Sequence, residues 1–229
     1  MRPDDGRADG AAGGGLPAAV LWDMDGTLVD TEPYWMAEEE SLVESHGGVW
    51  THEHAMQLVG NDLTVSAQYI IDHSPVTLSV DEVVKTLLAG VVQRVREHAP
   101  WRPGALELLE GLVSADVPCV LVTMSWRELA EAVLSDLPSG TFTHLVTGDE
   151  VEHGKPHPAP YLTAARLLGV ELPDCIAIED SPPGVASAVA AGVRTIAVPH
   201  AVAVPIMPGA VQLPTLAGLG PHDLVPLFH

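Results

Sequence analysis

Two carboxylates, Asp23 and Asp25, stand on either side of Met24, directly after the apolar run AAVLWD and just before Gly26 and Thr27. Carboxylates spaced this way at the end of a buried segment can act as nucleophile, as proton donor or acceptor, or as ligands of a hard cation. Taken alone, the pair reads equally well as a turn in an acidic protein. Three further features lie at comparable places. Thr123 follows the apolar run from Val117 to Val122, Lys155 sits in GKPHPAPY, and Glu179 with Asp180 closes the run CIAIED. Each also has an ordinary structural reading. A hydroxyl at a strand-to-helix junction is commonly a cap, and a lysine is usually a solvated charge, although this chain has only Lys85 and Lys155.

The segments that must carry these residues are short and apolar: AAVLWD, VPCVLVT (Val117 to Thr123), HLVT (His144 to Thr147), CIAIED (Cys175 to Asp180) and RTIAVP (Arg194 to Pro199). Runs without polar alternation are expected of strands buried on both faces. Stretches with apolar spacing of three and four separate them, namely Pro103 to Val113, Trp126 to Leu134, Ala159 to Leu168 and Pro183 to Ala191. Strands alternating with helices predict an α/β protein with a mostly parallel sheet covered on both sides. Polar and acidic residues gather where the strands end, at Asp23, Thr123, Asp149, Glu179 and Asp180. Those carboxyl ends are where open parallel sheets bind ligands.

Residues 33–98 break the rhythm and are helical throughout, which reads as an insertion. One helix is expected to be capped by Thr31, with Pro33 in its first turn and Gly47 at its end. Another starts at Ser79 with Glu82 three residues on, a capping box. Its apolar stripe runs Val80, Val83, Val84, Leu87, Leu88, Val91, Val92, Val95. A helical module after the first strand is well situated to act as a lid. The expected organisation is a flexible tail over 1–17, a core from 18–32 plus 99–229, and a cap over 33–98.

A formal charge of −21 opposes nucleic acid and anionic membranes as partners, and no apolar run approaches the length that spans a bilayer. The same field opposes an anionic substrate at long range, so a phosphate site would need a metal, a lysine and backbone amides gathered locally. Cys119 and Cys175 lie in apolar runs and are expected to be buried, reduced thiols. The N-terminal residues lack an apolar stretch of signal-peptide length, and a cytoplasmic protein is expected.

DMDGTLVDTEP, Thr123, Lys155 in GKP, and Glu179-Asp180 in IEDSPPG occur in the order and context of the four signatures of the haloacid-dehalogenase-like phosphatases. Over residues 18 to about 200 the chain resembles that superfamily, and within it the beta-phosphoglucomutase-like and sugar-phosphatase branch. The resemblance implies a Rossmann-like parallel-sheet core with an inserted all-α cap. It also implies a Mg²⁺-dependent phosphatase acting on a small phosphorylated metabolite. Asp23 would be the nucleophile and Asp25 the general acid and base, while Thr123 and Lys155 would hold the phosphoryl oxygens. Mg²⁺ would be held by Asp23, the main-chain carbonyl of Asp25 and Asp180, with Glu179 at or just outside the metal's ligands.

A sugar-phosphate mutase and a silent phosphate-binding regulator are the alternatives. The superfamily's glucose-phosphate mutases carry a histidine twelve residues after the nucleophile, where this chain has Trp35. A phosphonate-cleaving relative needs a cap lysine, and Lys85 lies on the polar side of its helix. GDEVEHGK matches a nucleotide-binding loop poorly, because five residues separate its glycines and Pro156 follows the lysine. The pairs His52/His54 and His153/His157 have no acidic or cysteine partner that would complete a metal site. Gly60-Asn61-Asp62 is a candidate specificity turn or a plain helix connector.

Overall fold

The computed structural model describes residues 15–229. Most of the expected tail over 1–17 therefore lies outside the described residues, and Pro17 is already buried. Six strands form one all-parallel sheet: β1 (Ala19–Trp22), β2 (Cys119–Val122), β3 (His144–Val146), β4 (Cys175–Glu179), β5 (Arg194–Ala197) and β6 (Ala210–Gln212), in the spatial order β3-β2-β1-β4-β5-β6. The first five are the expected runs, shortened by a residue or two at their ends. β6 was not anticipated, because AVQ is too short and too exposed to stand out as an apolar run.

Side chains alternate across a strand, and the sheet sorts them accordingly. Val20, Trp22, Cys119, Leu121, Ile176 and Ile178 face one side. Helices α5 (Ala105–Ser114) and α6 (Arg127–Leu134) cover that side through Leu108, Leu112 and Leu129. Ala19, Leu21, Val120, Val122, Cys175 and Ala177 face the other, beneath α7 (Ala159–Leu168) and α8 (Pro182–Ala191). Cys119 and Cys175 are buried and free, and burial pushes their thiols up to about 12 and about 11.

Four helices fill the chain between β1 and α5: α1 (Glu32–Ser45), α2 (His52–Met56), α3 (Leu63–His73) and α4 (Val80–Glu97). They share an apolar cluster of their own, which includes Leu42, Trp50, Ile70, Val83 and Leu87. The Ser79–Glu82 capping box opens α4 as expected. The α4 stripe divides between two cores. Val83, Val84 and Leu87 pack with the other three helices, and Leu88, Val91, Val92 and Val95 pack with the sheet's cluster. Thr31 differs from expectation. It makes no cap bond to α1, because its hydroxyl donates to Asp25 instead. Among the described residues no helix is long and apolar enough to cross a membrane.

β1 lies between β2 and β4: from β1 the chain builds outward through β2 and β3, then crosses back to build outward through β4, β5 and β6 on the other side. Such a switch opens a crevice at the carboxyl ends of the strands. Trp22 is in register with Leu121 on one side and Ile178 on the other. Glu179 at the end of β4 and the residues just beyond these strands, Asp23, Thr123 and Asp180, are thereby brought to one spot.

Candidate active site

The crevice is a cavity with about 850 Å³ of empty space, part of it open to solvent. Asp23, Asp25, Thr123, Lys155 and Asp180 line it from the sheet side. Asp149 is not among them. It is exposed and accepts a bond from the Arg127 amide at the start of α6.

Asp23 is 6 % exposed. Its Oδ1 accepts from Lys155 Nζ at 2.6 Å, and its Oδ2 is buried without a partner. Lys155 is itself buried, and three acceptors surround its ammonium: Asp23 Oδ1, the Val122 carbonyl at 2.7 Å and Glu179 Oε1 at 2.7 Å. Burial works against that charge, and the two carboxylates overcome it, holding the Lys155 pKa above its ordinary value. Glu179 is fully buried, and its Oε1 also accepts from Tyr161 Oη at 2.5 Å. Gly184 is required behind it, since a Cβ there would lie 1.9 Å from Glu179 Oε2.

Asp25 is held by four side-chain donors. Thr31 Oγ1 (2.5 Å) and Trp35 Nε1 (3.4 Å) reach Oδ1, and Ser125 Oγ (2.8 Å) and Thr123 Oγ1 (3.2 Å) reach Oδ2. The Thr123 hydroxyl also accepts from the Ser125 amide at 3.0 Å. The turn that aims Asp25 depends on Gly26. Its φ is +81°, and a Cβ there would lie 2.1 Å from Asp180 Oδ2 and 2.5 Å from Glu32 Oε1.

Asp23, Glu179 and Asp180 present carboxylate oxygens within 4.8 Å of one another. Burial first, and then the neighbouring charge of Glu179, pushes Asp23 up to about 7 against the opposing pull of Lys155. Burial and the charges of Asp23 and Glu179 raise Asp180 well above the ordinary carboxylate range. Two of these three carboxylates, Asp23 and Glu179, pair with the Lys155 ammonium, and one buried oxygen of each of the three, Asp23 Oδ2, Glu179 Oε2 and Asp180 Oδ2, has no hydrogen-bond partner. Buried charge of this kind is stable only when compensated. Oxygen donors with a net negative charge suit a hard divalent cation, so the residues fit Mg²⁺.

The helical side of the cavity comes in part from a face of α1 of which the sequence singled out only Trp35. Glu32, Trp35, Met36 and Glu39 fall at i, i+3, i+4 and i+7 on α1 and all line it. Gly60 and Asn61 of the candidate turn line it too, and Gly60 lies close to Ser181 and Pro183. Ser125, two residues past Thr123, and Tyr161, a core aromatic of α7, were missed as well. None of the histidine pairs joins the site. His54 stacks on Trp50, while His153 lies beside His157. His200, from the loop after β5, bonds Asp30 at 2.8 Å.

Glu39 is 5 % exposed, and its Oε2 accepts from Trp50 Nε1 at 3.0 Å. Burial pushes its carboxyl up to about 7 from 4.5, and the Trp50 bond only partly offsets this. The folded state thus favours the protonated acid. That stabilisation is complete below pH 4.5 and is lost as pH rises through about 7, a change on the order of 3 kcal/mol. Glu39→Gln, uncharged and able to keep the Trp50 bond, should resist denaturant better than the wild type at pH 8. The gain should shrink toward zero at pH 4.5, as paired urea titrations at the two pH values would measure.

A family model described as haloacid dehalogenase-like hydrolase matches residues 20–198. A probable pseudouridine-5'-phosphatase of Drosophila melanogaster is 33% identical over 186 residues, covering 78% of this chain and 80% of that protein. Hexitol phosphatase B of Escherichia coli (strain K12) is 32% identical over 188 residues, covering 79% and 83%. The crystal structure of CbbY from Rhodobacter sphaeroides in complex with phosphate superposes with a TM-score of 0.84 at 26% identity, covering 91% of this chain and 99% of that one. A match across most of the chain, on a parallel sheet whose strand ends gather these carboxylates and one buried lysine, makes the chain a member of the haloacid dehalogenase-like hydrolase family.

Proposed function

We propose that the chain is a Mg²⁺-dependent phosphatase that hydrolyses a small phosphomonoester, such as a sugar or polyol phosphate, through an aspartyl-phosphate on Asp23. The observation that carries this reading is the state of Asp23. One oxygen is fixed by Lys155, and the other is unpartnered in a buried cavity, two residues before a second carboxylate held by four donors.

In the first half-reaction Asp23 Oδ2 forms a bond to phosphorus, the ester P–O bond breaks, and Asp25 gives its proton to the departing alkoxide. In the second, Asp25 takes a proton from water as the water oxygen bonds to phosphorus. The Asp23–phosphorus bond then breaks, which frees phosphate and restores both carboxyl groups. Lys155 holds a phosphoryl oxygen as a point charge, and Glu179 with the Val122 carbonyl fixes the direction of its ammonium. Thr31, Trp35 and Ser125 fix Asp25, and the Thr123 hydroxyl can turn from Asp25 to a phosphoryl oxygen. Asp23, the Asp25 carbonyl and Asp180 would hold Mg²⁺, with Glu179 behind them. When bound, the cation neutralises charge on the transferred group. Two unpaired buried thiols fit a reducing compartment such as the cytoplasm.

Lys155 is the only lysine or arginine lining the cavity among the described residues. Lys85, Arg94 and Arg96 are exposed, and Arg94 pairs with Glu38 at 2.7 Å. A second phosphate group would therefore lack a charged partner. Trp35, at the mutases' histidine position, offers an indole that does not exchange protons near neutral pH. With Mg²⁺ present, phosphorus NMR should follow free phosphate rising from hexose and polyol monophosphates. β-Glucose 1-phosphate with a bisphosphate primer should yield no glucose 6-phosphate. Isomer accumulating ahead of phosphate would establish mutase chemistry instead, and full turnover after exhaustive chelation would remove the cation from the account.

A further inference from the structure

The α1 face that lines the cavity ends at a carboxyl group for which the phosphoryl chemistry has no use. Glu32, at the start of α1, borders the reacting groups, with its Oε1 close to Gly26 and Asp180. Glu39 is two turns further along the same face, about 10 Å by helical rise. The same cavity is lined by apolar Leu58, Leu63, Val84 and Leu87. Trp50 occupies one Glu39 oxygen, and the other makes no hydrogen bond among the described residues. Ser66, 7 % exposed and also lining the cavity, offers a hydroxyl with no protein partner among them.

We infer that Glu39, assisted by Ser66, is a specificity-determining residue. It accepts a hydrogen bond from a hydroxyl at the far end of the substrate's alcohol portion, and it excludes substrates that end there in a second anion. The inference rests on the phosphatase reading and deepens it. A buried carboxyl group in apolar surroundings is costly unless hydrogen-bonded, and Trp50 satisfies only half of this one. A hydroxyl on an extended five- or six-carbon chain would supply the missing donor. A terminal carboxylate or phosphate would meet Glu39 as a like charge with no lysine or arginine nearby.

The test compares three C6 phosphomonoesters at pH 8, above the Glu39 pKa of about 7: a hexitol phosphate, hexyl phosphate, and a phosphorylated sugar acid with its carboxylate at the far end. Wild type should prefer the hexitol phosphate to both. Glu39→Gln keeps its one oxygen on Trp50 and presents an uncharged amide N–H to the cavity, from which a substrate hydroxyl can accept. It should keep the preference over hexyl phosphate and narrow the gap to the sugar acid at least about tenfold in kcat/KM, mainly through KM. Glu39→Leu should lose at least about tenfold of the preference over hexyl phosphate. Should Glu39→Gln leave the sugar-acid ratio within about twofold of wild type, the inference is overturned and the phosphatase reading stands. Wild type that turns over none of the three, nor p-nitrophenyl phosphate, overturns the phosphatase reading and the inference with it.

Discussion

Asp23→Asn should abolish turnover, with a loss exceeding about 10³-fold in kcat for any phosphomonoester tested. The amide keeps the size of the carboxyl group and can still accept from Lys155, so the cavity's shape is preserved. It does not keep the charge or the nucleophilicity of the unpartnered oxygen. The fold should survive. Asp23 is one of three clustered buried carboxylates, of which it and Glu179 pair with Lys155, and removing its negative charge leaves Lys155 paired with Glu179. Loss of activity with an unchanged circular-dichroism melt would separate chemistry from folding. Retention of more than a tenth of wild-type turnover would take Asp23 out of the nucleophile's role.

The second large effect is expected at Asp25, and it should depend on the substrate. Asn in place of Asp25 can neither give a proton to the leaving oxygen nor take one from water. An alkoxide leaving group needs that proton, so hydrolysis of sugar or polyol phosphates should fall by about 10²-fold or more. A nitrophenolate leaves without it, so the first half-reaction should proceed while the second stalls. Stopped-flow absorbance on p-nitrophenyl phosphate should then record a burst of one nitrophenolate per enzyme, followed by slow turnover. Equal loss on both substrates without a burst would confine Asp25 to a structural or cation-binding part. Lys155 remains paired with Asp23 in this variant, so a general collapse of the site is not expected.

The sequence made the site's sheet side legible for a physical reason. Strands buried on both faces are continuous apolar runs, and each run ends where the chain returns to solvent. A polar residue at that point must lie at the sheet's edge, so Asp23, Thr123 and Asp180 could be assigned to one crevice without knowing the strand order. The rule failed at Asp149, which follows the peripheral β3 and turns outward to cap α6 and face solvent. Thr31 was misread because a hydroxyl before a helix ordinarily caps it, and here Asp25 competes for the same group. Tyr161 and Glu179 meet through tertiary packing alone, and no local pattern announces that pairing. The contribution of α1 was readable in part. Glu32, Trp35, Met36 and Glu39 keep strict helical spacing, but two acids on the apolar face look like an interrupted stripe until the cavity beneath them is seen.

The proposed reaction passes through a phosphoenzyme on Asp23, and Asp25→Asn gives the means to observe it. The variant would be mixed with Mg²⁺ and p-nitrophenyl phosphate, quenched in acid at the end of the burst, digested and examined by mass spectrometry. One added phosphoryl group is expected on the peptide carrying DMDGTLVD, located at Asp23 by fragmentation. Phosphate release with an unmodified Asp23 peptide, or a phosphoryl group on any other residue, would contradict that reaction.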